Sequence, residues 1–124
     1  MDCYCDYDPP EFSTSRIVKS KKKRRCYECC GIILPSEPYL YIAGKWEGYF
    51  ETFTICQHCR NLRVWVSNNI PCFCWSYGNM VEDARYAIDD AYERAPNEVI
   101  GVRFGFNRRL YLRDKHNRER WGWQ

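Results

Sequence analysis

Two pairs of cysteines in this chain have the spacing of ligands for a single metal ion. Two residues separate Cys26 from Cys29, two separate Cys56 from Cys59, and 26 residues lie between the pairs. A two-residue spacing lets a tight turn direct both sulfur atoms at one tetrahedral ion, and four thiolates are a typical ligand set of structural zinc. The sequence therefore predicts a structural zinc site at Cys26, Cys29, Cys56 and Cys59.

Two shorter cysteine pairs remain, Cys3 with Cys5 and Cys72 with Cys74. One intervening residue still allows two sulfur atoms to bind the same metal ion, with a tighter bite. We interpret these four cysteines as a second structural zinc site that ties the N-terminus to the segment around residue 73. The alternative is that the first pair is disordered and the second pair consists of small core residues. The cofactor predicted for the whole chain is zinc, as two ions.

Three other potential ligands are not assigned to either site. Cys30 directly follows Cys29, and we interpret it as a spare buried thiol or, alternatively, as a replacement for Cys29 in a three-residue spacing. His58 and His116 are interpreted as surface or first-turn residues, because His58 lies between two better candidate ligands. Gly31 suits the turn after the first pair, since glycine adopts a positive φ most easily.

The elements between and after the cysteines predict how the first site is held. Residues 39–43 and 49–55 favour strands, and residues 44–48 carry turn signals, which together predict a β-hairpin. Residues 57–66 predict a helix whose first turn contains Cys59, and residues 67–71 end it. A knuckle, a hairpin and a helix in this order are the chain order of a treble-clef zinc finger.

Two more elements are predicted towards the C-terminus. A helix is expected from Met80 to Ala95, with Asn79 as its cap and Glu82 completing a capping box. From residue 100 to 113 apolar side chains alternate with arginine, glycine or tyrosine, which predicts a second β-hairpin. Its inward residues would be Ile100, Val102, Phe104, Phe106, Leu110 and Leu112, and its outer face would carry Arg103, Arg109, Tyr111 and Arg113.

The predicted fold is a small zinc-stabilised α+β domain, with a treble-clef-like knuckle, hairpin and helix, a second helix and a C-terminal β-hairpin. Residues 1–25 show no apolar period and are predicted to form an extended N-terminal arm, acidic and then basic. Residues 26–124 are predicted to form a single zinc-binding domain, because 124 residues suit one modest core.

The positive charge of the chain is concentrated in one stretch. Residues 1–15 hold four acids and no base, residues 16–25 hold seven bases and no acid, and the rest of the chain balances. This basic run, continued by the arginine-rich tail, indicates a surface for phosphates or for an acidic partner. The candidate contact residues are Lys21, Lys22, Lys23, Arg24, Arg25, Arg103, Arg109, Tyr111 and Arg113.

Composition also predicts where the protein acts. The sequence contains no apolar stretch of the roughly 18–20 residues that a membrane span requires, and its first residues are acidic where a signal peptide is basic. We therefore expect a cytoplasmic protein without a membrane partner. In that reducing compartment clustered cysteines are metal ligands more often than disulfides.

The stretch "CYECCGIILPSEPYLYIAGKWEGYFETFTICQHCRNLR" resembles small cysteine-rich proteins encoded by bacteriophages and prophages. The segments "CYCDYDPPEF" and "CFCWSYGNMVEDAR" are similar to that group as well, so the resemblance covers roughly residues 1–86. It implies a compact phage-type zinc protein with no assigned chemistry. Residues 36–38 depart from the pattern, because a turn glycine is expected there.

Three function classes follow from these observations. An enzyme such as an HNH-like nuclease is disfavoured, because the chain has only His58 and His116, and zinc held by four thiolates has no open position for water. No small-molecule substrate is expected. Non-specific nucleic-acid binding through residues 19–25 and the basic tail is the alternative, weakened by the acidic helix and N-terminus.

Protein binding is the preferred hypothesis. Aromatic residues make up 17% of the chain, and tyrosine, tryptophan and arginine dominate interface hot spots. The expected partner is a host protein. The resemblance to phage proteins extends this hypothesis to inhibition of a host defence system such as CRISPR.

Overall fold

The computed structural model describes residues 10–121 of the chain. Within these residues five strands come first and three helices follow, which is the order of an α+β protein, as the sequence predicted. The strands are β1 (Phe12–Lys19), β2 (Arg24–Arg25), β3 (Ile32–Ile33), β4 (Pro38–Trp46) and β5 (Tyr49–Cys56), and the helices are α1 (Gln57–Asn69), α2 (Met80–Arg94) and α3 (Val102–Trp121), with a 3-10 turn at Pro96–Glu98.

The predicted hairpin between the cysteine pairs is confirmed. Strands β4 and β5 pair antiparallel, from Tyr39 opposite Cys56 to Trp46 opposite Tyr49. The two connecting residues, Glu47 and Gly48, have φ of 50° and 84°. Two consecutive positive φ values give a turn whose twist matches that of the flanking strands, so the hairpin closes with only two loop residues.

Strand β1 occupies part of the predicted N-terminal arm. It pairs antiparallel with β4, from Phe12 opposite Lys45 to Lys19 opposite Pro38, and makes a three-stranded sheet in the order β1-β4-β5. Residues 12–19, which the sequence analysis assigned to an extended arm, are an edge strand of the sheet. Because most side chains of this strand are exposed on both faces, the strand carries no apolar alternation.

The first two helices are confirmed, with one local difference. Helix α1 extends to Asn69 and ends before Pro71, and α2 ends before Pro96. Asn79 precedes α2 as predicted, but its side chain makes no capping hydrogen bond and instead donates to the Asp83 carboxylate at 3.0 Å. The expected capping box with Glu82 is therefore wrong.

The predicted C-terminal β-hairpin is wrong, because residues 102–121 form the single helix α3. The buried residues of this segment are Val102, Phe106, Leu110, Arg113 and Asn117, which recur every three or four positions as on one helix face. Phe104 is 73% exposed and Ile100 is 81% exposed, although both were predicted to face inward.

One core joins the helices to the sheet. The apolar faces of the three helices pack together with the inner face of β4 and β5, and α1 also packs along α3. Within residues 10–121, the structure contains no helix that is both long and apolar enough to span a bilayer. The main buried residues of the core are Leu40, Ile42, Phe53, Ile55, Leu62, Val66, Met80, Ala84, Ile88, Ala91, Val99, Val102, Phe106 and Leu110.

Candidate metal centre

The first cysteine pair lies in a tight turn between β2 and β3. These two short strands pair with Arg24 opposite Ile33 and Arg25 opposite Ile32. Inside the turn the Cys26 N–H donates to the Gly31 carbonyl at 2.8 Å, and the Cys30 N–H donates to the Cys26 carbonyl at 2.9 Å. These bonds fold the turn so that the sulfur atoms of Cys26 and Cys29 both enter the protein.

The second pair lies where β5 passes into α1. Cys56 is the last residue of the strand and the residue before the helix, and its sulfur accepts the Cys59 N–H at 3.5 Å. A sulfur atom therefore takes the place of the usual oxygen cap, because it satisfies one of the unpaired N–H groups of the first helical turn.

The four sulfur atoms form one compact cluster. The Sγ atoms of Cys26, Cys29, Cys56 and Cys59 all lie within 4.8 Å of one another, and those of Cys29 and Cys56 are 3.7 Å apart. Zn–S bonds of about 2.3 Å in a tetrahedron place sulfur atoms about 3.8 Å apart. The predicted ligand set is thus brought together with dimensions that fit a zinc ion.

Every sulfur in the cluster accepts at least one N–H hydrogen bond. Backbone N–H groups donate to Cys26 from Cys56 at 3.3 Å, to Cys29 from Gly31 at 3.3 Å and to Cys56 from Cys59. These bonds stabilise sulfur in its thiolate form, which is the form that binds metal.

Two side chains from α3 complete these contacts. Arg113 Nη1 donates to Cys59 Sγ at 3.4 Å, and Asn117 Nδ2 donates to Cys29 Sγ at 3.5 Å. Both are buried, with Arg113 8% exposed and Asn117 4% exposed. Helix α3 therefore contributes two polar residues that reach the sulfur cluster without being ligands themselves.

Arg113 supplies positive charge next to the cluster. Burial alone would lower the pKa of its guanidinium, but the sulfur atoms of Cys59 and Cys29 and the carboxylate of Asp114 outweigh burial and raise it. Four thiolates around a divalent ion leave a net charge of about −2 on the site, by the charges of the ligand set alone. A fixed cation at this position partly neutralises that charge.

The thiols also perturb one another. A hydrogen bond from the Cys26 thiol lowers the pKa of Cys29, whereas hydrogen bonds to Cys26 and Cys29 raise the pKa of Cys59. In the absence of a cation, such crowding prevents all four groups from ionising together. A divalent metal ion removes this conflict, because it favours the thiolate form of every ligand.

Cys30, His58 and His116 are not part of the cluster. Cys30 is exposed, which corrects the prediction of a buried thiol, and its φ of 60° shows that it takes the left-handed position expected for Gly31. Gly31 is needed for a different reason, since an added Cβ would lie 2.5 Å from Asn117 Oδ1. The rings of His58 and His116 lie 4.4 Å apart.

The predicted second site is described only in part. The sulfur atoms of Cys72 and Cys74 are 3.8 Å apart, too far for a bond between them, and the structure has both cysteines in disulfides and not as free thiols. Cys3 and Cys5 lie outside the described residues.

The candidate contact residues do not lie on one surface. Lys21, Lys22 and Lys23 lie between β1 and β2 and are exposed, Arg24 lies over the Tyr39 ring, and Arg25 donates to the Cys30 carbonyl. The predicted stripe on a C-terminal hairpin does not exist. Arg103 pairs with Asp89, Arg109 lies over the Trp65 ring, Tyr111 is exposed and Arg113 reaches the cysteine cluster.

No protein-family model matches the chain, and no curated protein or solved structure shows significant similarity to it.

Proposed function

We propose that this protein is a structural-zinc protein that acts by binding a macromolecular partner and not by catalysis. The observation that carries the proposal is the sulfur cluster of Cys26, Cys29, Cys56 and Cys59, in which each sulfur also accepts an N–H bond. Zinc bound there would supply positive charge that holds the knuckle, the hairpin and α1 together. Four protein ligands fill its tetrahedral shell and leave no position for water or substrate.

The order of elements supports a treble-clef-like centre. The first two sulfurs come from the β2–β3 turn, the hairpin β4–β5 follows, and the last two come from the junction of β5 and α1. In this proposal α2 and α3 are additions that pack on the centre. Zinc thiolate sites need reduced cysteines, which agrees with a cytoplasmic location.

The kind of macromolecule that the protein binds is supported by fewer observations than the zinc site. A host protein, including a component of a defence system such as CRISPR, stays a candidate that rests on the resemblance to phage proteins. The feature that favours it is the outer side of α3, where Phe104, Arg108 and Tyr111 are exposed at helical spacing. The basic run favours nucleic acid instead, since its seven cations are not balanced by any acid within residues 16–25.

Removal of the metal tests the structural role of zinc. Structural zinc contributes on the order of 10–16 kcal/mol of apparent binding energy in small modules, so a strong chelator is expected to abolish cooperative thermal unfolding. The measurement is a calorimetric or circular-dichroism melt alongside metal analysis of the same sample. A melting curve that is unchanged after complete metal removal would contradict the proposal.

A second zinc ion, held by Cys3, Cys5, Cys72 and Cys74, belongs to the same proposal. The 3.8 Å separation between the sulfurs of Cys72 and Cys74 fits two ligands of one ion, but zinc binding would require both to be reduced, whereas the structure has them in disulfides. Replacing Cys72 with serine is expected to remove one of two zinc ions, as counted by native mass spectrometry. The Cys30→Ser variant is the matched control and should retain both. A wild-type protein with a single zinc ion would rule out the second site.

A further inference from the structure

The sheet has one face that packs on the core and one that carries polar, aromatic and cationic side chains. Leu40, Ile42, Phe53 and Ile55 lie on the inner face and are buried. Side chains alternate along strands, so the register assigns the opposite face to the residues between them. We define the open sheet face by six of these residues, which are Phe12, Thr14 and Arg16 of β1, Tyr41 and Lys45 of β4, and Phe50 of β5.

Aromatic rings are exposed at one end of this face. Phe12 is 52% exposed and Phe50 is 73% exposed, although their ring centroids lie 5.6 Å apart. Two large apolar rings on the two edge strands of the sheet are not explained by the core, since neither belongs to it. They provide flat surfaces that a ligand can stack on.

Cations lie over the rings of the same face. Lys45 Nζ is 5.4 Å from the centroid of Phe50, and Arg16 Cζ is 5.7 Å from that of Tyr41. Arg24 adds a third cation at 5.5 Å from the Tyr39 ring, at the far end of β4. Cations held over rings keep positive charge beside the stacking surfaces.

The charge of the face has one sign. The register places alternate residues on it, and none of them is acidic: they are Phe12, Thr14, Arg16 and Val18 of β1, Tyr39, Tyr41, Ala43 and Lys45 of β4, and Phe50, Thr52 and Thr54 of β5. Glu11 at the border forms an exposed ion pair with Lys45 at 3.6 Å, which contributes little in water. The exposed lysines Lys21 and Lys22 continue the positive charge beyond the end of β1.

We propose that the open sheet face binds single-stranded nucleic acid, with bases stacked on Phe12 and Phe50 and phosphates paired with Arg16, Lys45 and the lysines after β1. Exposed aromatic rings interleaved with cations suit this ligand, because every base presents a flat π surface and every linkage presents a negative charge. A duplex keeps its bases stacked on one another and cannot use the rings. This inference names the partner of the protein proposed above and rests on that proposal for the zinc-held fold.

The test uses the full zinc-loaded chain and labelled single strands of about 16 nucleotides, oligo(dT) and oligo(U), with a duplex of equal length. Fluorescence anisotropy is expected to show tighter binding of both single strands than of the duplex. Phe50→Ala and Phe12→Ala should each weaken binding on the order of tenfold, since stacking of a base on a ring is lost.

Two further sets of variants separate stacking from charge and from folding. In the double variant Arg16→Gln with Lys45→Gln, the slope of log K against the logarithm of the salt concentration should become shallower by about 1.4. The reason is that two phosphate contacts are removed. Tyr86→Ala is the matched control, since Tyr86 is 76% exposed and lies outside the face, and it should leave binding unchanged.

Several results would overturn the inference. They are equal affinity for the duplex, no loss of affinity in Phe50→Ala, or an absence of binding at low salt by protein of full zinc content. That last result would leave the structural-zinc proposal intact. Conversely, a protein that holds no zinc but binds the oligonucleotides through these residues would refute the zinc proposal alone.

Discussion

Single residues outside the ligand set hold the sulfur cluster in place. Arg113 and Asn117 reach Cys59 and Cys29 from α3, and Gly31 leaves the space that the Asn117 amide occupies. The four ligands were predicted from spacing alone. These three supporting roles were not, because they depend on Arg113 and Asn117, which lie more than 50 residues further along the chain than the second cysteine pair.

Arg113 provides the first test at this scale. Arg113→Met is expected to weaken zinc binding about 10–100-fold, the usual cost of losing a residue that supports a metal ligand. The physical reason is the loss of both a hydrogen bond to Cys59 and a buried positive charge. Competition with a chromophoric chelator measures the affinity. Arg118→Met, an exposed arginine of the same helix, should leave it unchanged, and equal losses in both variants would refute the assigned role.

Among the elements, those with a distinct local signal were predictable and α3 was not. The hairpin has a two-residue turn between aromatic strands, and α1 and α2 each end just before a proline. In α3 and just before it, the apolar residues at 100, 102, 104 and 106 alternate like a strand, while 102, 106 and 110 also fit a helix. Short apolar segments are ambiguous in this way, and tertiary packing decides between the two.

Two phenylalanines of α3 distinguish these arrangements in solution. In the predicted hairpin Phe104 and Phe106 both faced inward, whereas in the helix Phe106 is 1% exposed and Phe104 is 73% exposed. Phe106→Ala is therefore expected to cost about 3–5 kcal/mol of unfolding free energy. Phe104→Ala should cost less than about 0.5 kcal/mol. Denaturant unfolding of the zinc-loaded variants measures both, and similar losses would contradict the helix.

At the scale of the whole molecule, the metal centre joins parts that are distant in sequence. The sulfur cluster connects the β2–β3 turn to the junction of β5 and α1, and α3 covers it from the far end of the chain. A domain of this size has a modest core, so a metal-linked centre stabilises what packing alone supports weakly. The edge strand β1 was not predicted from the sequence, because most of its side chains are exposed on both faces and therefore show no apolar pattern.

The zinc content of two serine variants tests the central claim most directly. Cys59→Ser removes one of the four clustered sulfurs, whereas Cys30→Ser changes an exposed thiol outside the cluster. Elemental analysis of the purified proteins should show that Cys59→Ser loses one zinc ion per chain relative to wild type and that Cys30→Ser loses none. A folded wild-type protein without zinc, or a Cys59→Ser variant that retains the full zinc content, would contradict the account.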